Sequence, residues 1–188
     1  PQELIHSVKV DGVMVAALSK YMDTLTYAGL NSLKTMNLNQ AKQYFLGAVT
    51  RDSKNEIALT ELINSYINMD SLAQANVWAD KGLALAPNYE DFLLAKGLIL
   101  IRQGNIRGAY DYIDQCKKLN KRNVTAFFYS AMIMDNQKNY SAALDDLQRV
   151  IEQAPNFKQA YLLGAQIMQN SGNPDAAAKY MQYANQLK

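Results

Sequence analysis

Apolar residues recur three and four apart along most of this chain, the spacing of one face of an α-helix, and short polar or glycine-containing breaks interrupt them regularly. From about Asp11, the positions Val13, Ala17, Leu18, Tyr21, Met22 and Leu25 keep that spacing and predict a helix. Beyond it the same phrase returns on a fixed period. Ala41, Ala75, Ala109, Ala143 and Ala177 each stand 34 residues after the last. Four residues before each alanine lies a turn residue (Asn37, Ser71, Asn105, Asn139, Asn173). Four after it lies an anchor (Phe45, Ala79, Ile113, Leu147, Met181). A period of this length marks a repeat architecture and governs every local reading.

Each repeat reads as two helices joined by a turn. Five repeats are expected over 22–55, 56–89, 90–123, 124–157 and 158–188, with residues 1–21 as a tail and helix extension that caps the array. Small residues at Gly29, Gly97, Ala131, Ala165 and the period alanines predict a close approach of two antiparallel helices. Asn or Gly at the turn is expected to end the first helix in a left-handed conformation. Pro174 suits the first position of a helix, while Pro87 and Pro155 end second helices.

These columns resemble the tetratricopeptide repeat family, whose pattern is a large residue, Leu-Gly, Tyr, Ala-x-x-x-Phe and Pro on a 34-residue period. Ala41 to Phe45 reproduces the Ala-x-x-x-Phe piece, Tyr66 the tyrosine, and Pro87 and Pro155 the proline. Departures are Leu, Phe or Tyr for the family's tryptophan, Ile63 in a small-residue column, and Ser53 and Lys121 for proline. The resemblance covers about nine-tenths of the chain. It implies an all-α fold, an α-solenoid in which antiparallel helix pairs form a right-handed superhelix.

It also implies where a partner binds, because in similar proteins the first helix of each repeat lines a concave surface. Carried across, the groove positions are Leu30 in repeat one, then Asn64, Ile67 and Asn68 in repeat two. Repeat three supplies Leu94, Leu98 and Ile101, and repeat four supplies Phe128, Met132 and Asn136. Further positions on the same face are Asp23, Thr26, Leu33 and Lys34 in repeat one, Ile57 and Thr60 in repeat two, Asp91 and Arg102 in repeat three, Thr125 and Asp135 in repeat four, and Gln159, Leu162, Gln166, Gln169 and Asn170 in repeat five. The apolar centre is expected at Leu94, Leu98, Ile101, Phe128 and Met132, with the asparagines around it to bond a peptide backbone. Two occupants suit that centre, a partner's peptide or helix and the protein's own residues 1–11. Family members that hold acidic chaperone tails use a Lys/Asn/Arg clamp. Here its lysine and arginine positions would carry Thr26, Asp91 and Ala95, so no such clamp is expected.

Composition narrows the classes further. With 49% hydrophobic and 19% charged residues, the chain is foldable, and a net charge of +2 gives no footprint for nucleic acid. The basic run Lys117, Lys118, Lys121 and Arg122 falls at a predicted helix end, where cations complement the dipole. No apolar run is long enough for a membrane-spanning helix. The chain opens on Pro1, as a processed or trimmed product would. A removed signal or lipoprotein segment therefore stays open, and with it both cytoplasm and periplasm.

No catalytic, cofactor or metal site is expected. His6 is the single histidine and lies in the tail. Cys116, the single cysteine, falls in a small-residue column and reads as a buried thiol. Asp145 and Asp146 read as solvated surface, and Asp111 with Asp114 lack a further ligand. The expected function is a non-catalytic scaffold or adaptor holding a protein or peptide partner, within a bacterial assembly, secretion or envelope process. The alternative is self-assembly, a homo-oligomer built through the last helix, whose Tyr180, Met181, Tyr183 and Leu187 have no following helix to cover them.

Overall fold

Ten helices span residues 22–187, the part of the chain that the computed structural model describes. They fall into two compact units that divide between Ala86 and Pro87. The first contains α1 (Thr24–Lys34), α2 (Leu38–Arg51), α3 (Glu56–Asn68) and α4 (Leu72–Leu85). The second contains α5 (Glu90–Arg102), α6 (Ile106–Leu119), α7 (Val124–Asn136), α8 (Tyr140–Gln153), α9 (Lys158–Asn170) and α10 (Pro174–Gln186). Within each unit a helix packs on its sequence neighbours, and in the second unit α7 also touches α9. That contact brings the first helices of successive pairs side by side.

The turn within each pair is built the same way five times. Met36, Asp70, Gly104, Lys138 and Gly172 take the left-handed conformation, with φ between 54° and 81°. In the first of them the Asn37 N–H donates to Ser32 O and the Met36 N–H to Leu33 O, the two bonds of a Schellman motif. The other four turns repeat both bonds. The turn asparagines therefore do a different job from the one their left-handed tolerance suggests. Asn37, Asn105, Asn139 and Asn173 are N-caps of the second helix, each side-chain oxygen accepting from the backbone N–H three residues on. The left-handed residue is the one before them. Only Gly104 and Gly172 meet that demand without a Cβ.

Close helix approach is read directly from the glycines. A Cβ added at Gly29 would lie 2.4 Å from the Phe45 ring, and one at Gly97 would lie 2.6 Å from Ile113 Cδ1. Both anchors are fully buried, as are Ala41, Ala75, Ala109 and Ala143. The last pair departs from the column. Its close approach is at Gly164, where a Cβ would meet Tyr180 at 2.5 Å, and the expected anchor Met181 is 43% exposed. The reason is local: the glycine stands one residue earlier than in α1 and α5, so the helix face above it is filled by Tyr180.

One further expectation is corrected in the core of the second unit: Asp146 is not solvated surface but buried. Lys117 stands in the last turn of α6, as expected, and pairs with it there. The Lys117 Nζ donates to Asp146 Oδ2 at 2.5 Å and to Ser130 Oγ at 2.9 Å, and it sits 5.0 Å from the Phe127 ring centre. All three helices α6, α7 and α8 meet at this group. Asp145, its sequence neighbour, is exposed as expected.

Candidate functional site

A pocket of about 710 Å³ opens in the second unit, lined by residues of α5 to α9. Phe128 and Met132 of α7, one helical turn apart, form its floor with Ile101 of α5 and Leu162 of α9. Phe128 is held in place by edge-on contacts with Phe157 at 5.1 Å and Tyr129 at 5.6 Å. Met132 and Leu162 remain 36% and 41% exposed, so the floor presents apolar surface to solvent. Asn136, Gln159, Gln166 and Asn170 supply amide groups around it.

One wall carries a charge. Asp135 is only 6% exposed, and its carboxylate accepts from Gln166 Nε2 at 2.6 Å. The Asn170 Nδ2 bridges its two oxygens at 2.9 and 3.1 Å. Gln166 and Asn170 lie one turn apart on α9, which is why both reach a single carboxylate on α7. Their separations from Asp135, 31 and 35 residues, bracket one period. Residues near one period apart become neighbours when helix pairs stack.

Of the positions expected to line a groove, Ile101, Phe128, Met132 and Asn136 line this pocket, with Asp135, Gln159, Leu162, Gln166 and Asn170 of the further positions. Leu94 packs against the hydrophobic core and Leu98 is half-buried, and neither is part of the lining. In the first unit Leu30 and Asn64 are half-buried and Asn68 is exposed. Ile67 is 4% exposed and belongs to the core, so it offers no surface to a ligand. The pocket thus lies one repeat beyond the expected centre. Ile106, Ile133, Lys138, Tyr140 and Leu163 also line it, contributed mostly by the turn and by the second helices. None of these five stands at an outward position of a first helix. The expected docking of residues 1–11, like the cap over 1–21, concerns residues outside those described.

The other chemical candidates fall in packed positions. Cys116 is fully buried and its Sγ lies 3.7 Å from the Glu90 carbonyl. Burial, with smaller contributions from the Glu90 and Asp91 carboxylates, pushes its thiol up to about 12, so it stays protonated and is a poor nucleophile. Asp114 pairs with Lys118 at 2.6 Å on one face of α6. Among the described residues, no group of three or more His, Cys, Asp or Glu is placed to hold a metal ion.

Solved structures share this arrangement of helix pairs. A solved structure of MamA from Desulfovibrio magneticus RS-1, covering its residue 41 to the end, superposes with a TM-score of 0.72 at 14% identity, over 85% of this chain and 90% of that one. A second MamA structure, of AMB-1, gives 0.71 at 17% identity, over 87% and 96%. YrrB, described as a TPR protein with an unusual peptide-binding site, gives 0.65 at 20% identity, over 97% and 89%. This chain has the tetratricopeptide-repeat fold. No family model and no curated protein matches its sequence. At such identities the likeness extends to the tetratricopeptide-repeat fold alone, and the pocket is argued from its own residues. Among the described residues no helix is long and apolar enough to cross a membrane.

Proposed function

We propose that the chain is a non-catalytic interaction scaffold that captures a peptide or helical segment of a partner protein in the pocket of its second unit. The observation that carries this is the exposed apolar surface of Met132 and Leu162, which line a pocket together with amide side chains. Apolar surface left open in a concave, polar-rimmed site is the common form of a ligand groove. Asn136 and Gln159 can bond a backbone without reading its sequence, and Met132 gives an adaptable contact. The peptide-binding site of YrrB supports the same use of the fold. The process we favour is a bacterial assembly, secretion or envelope function, in the cytoplasm or the periplasm.

The test is Met132→Glu, chosen over a change at Phe128 because Met132 contributes less to the core. In pull-downs from source-organism lysate, with helix content checked by circular dichroism, capture of the partner is expected to fall by about tenfold or more. Capture unchanged in a folded variant would remove the pocket from the binding surface.

A second reading is self-assembly through the last helix. Tyr183 of α10 is 59% exposed beside Tyr161, with ring centres 6.0 Å apart, and Met181 is exposed on the same helix. If this face joins two copies, light scattering shows mass rising with concentration, and Tyr183→Lys abolishes the rise. A constant monomer mass at high concentration sinks this reading and leaves the pocket reading untouched.

A further inference from the structure

The pocket contains a charge that its own wall does not neutralise. Of the residues lining it only Asp135 and Lys138 are charged, and Lys138 is exposed while Asp135 is buried. Elsewhere Arg51 pairs with Asp23, Lys117 with Asp146 and Lys118 with Asp114. Asp135 takes part in none of them. Its hydrogen-bond partners are the amides of Gln166 and Asn170, which are neutral. Amide donors fix the orientation of a carboxylate without cancelling its charge. Beside Phe128, Met132 and Leu162, water is partly displaced and the field of that charge is screened less than on an open surface.

A buried carboxylate with polar but uncharged partners is costly to keep, and covering the pocket would raise the cost unless a cation came with the cover. Building on the reading of the pocket as a peptide site, we infer that the captured segment carries a lysine or arginine side chain that pairs with Asp135, flanked by apolar residues that cover Phe128, Met132 and Leu162. Charge complementarity of this kind selects the partner and fixes its register, since an acidic or uncharged residue at that point leaves Asp135 closed off without a counter-charge. Gln166 and Asn170 are positioning residues: they hold the carboxylate facing the pocket, and they act on the ligand only through it.

The probe is a library of random dodecapeptides displayed on phage and selected against the intact chain. Selected peptides are then synthesised and titrated against wild type, Asp135→Asn and Met132→Glu. Asp135→Asn keeps the shape of the side chain and removes its charge, but its amide nitrogen cannot accept from Gln166 or Asn170, so thermal unfolding checks that the variant is folded before titration. Wild-type selection is expected to enrich one Lys or Arg between apolar residues. Those peptides should bind Asp135→Asn roughly tenfold or more weakly, and replacing the basic residue by norleucine should remove the difference between the two proteins. Peptides that lose affinity with Met132→Glu but bind Asp135→Asn as tightly as wild type would overturn the cation pairing while leaving the pocket as the binding site. Peptides indifferent to both substitutions would overturn the pocket reading and this inference together.

Discussion

Asp146→Ala is expected to cost about 3–5 kcal/mol of stability, because it leaves the Lys117 ammonium in the protein interior without its counter-charge. The side chains of Lys117 and Asp146 are 18% and 12% exposed, and the remaining partner of the ammonium, Ser130, is neutral. A neutral hydroxyl and the face of Phe127 do not replace a carboxylate. Lys117→Met combined with Asp146→Leu removes both charges and fills the same space. That pair is expected to be nearly neutral, or stabilising by about 1–4 kcal/mol. Urea unfolding followed by circular dichroism measures all three. A cost below about 1 kcal/mol for the single change, the value of an exposed ion pair, would show that water reaches this group.

Phe45→Ala should lower the stability of the first unit by about 3–5 kcal/mol. The ring is fully buried between α1 and α2 and rests on the bare backbone of Gly29. Gly29→Ala alone should also be destabilising, by about 1–3 kcal/mol, since its methyl would meet a ring that has no free space to enter. In the double variant the methyl fills part of the cavity left by the ring, so the combined cost falls short of the two single costs added together. A double-mutant cycle read from denaturant midpoints decides it. Strict additivity would show that the two helices separate when the ring is removed.

Much of the helix architecture was legible from spacing alone. The alanines at 34-residue intervals are buried, and the helices begin where the period places them. Pro174 opens α10 as expected, whereas the turn asparagines cap the second helices and leave the left-handed position to the residue before them. These features follow from local rules: a helix repeats its face every three or four residues, and caps and left-handed turns act within six. The pocket was legible only in part. Ile101, Phe128, Met132 and Asn136 stand where outward-facing positions of a first helix should stand. Ile67 occupies an equivalent column and is buried, because whether a position at the edge of a helix face is covered depends on the neighbouring helix.

The sequence by itself determined the number of helices in each repeat, their faces and their turns, since each of these is set by residues within a few positions of one another. The tertiary structure alone decided which polar residues lie inside. Lys117 meets Asp146 across 29 positions, Asp135 meets Gln166 and Asn170 across 31 and 35, and Tyr180 takes the seat of Met181. Periodicity gives the direction of a side chain from its own helix axis. The rotation and offset of the next helix, set by packing volumes such as the glycine at 164, decide what that side chain meets.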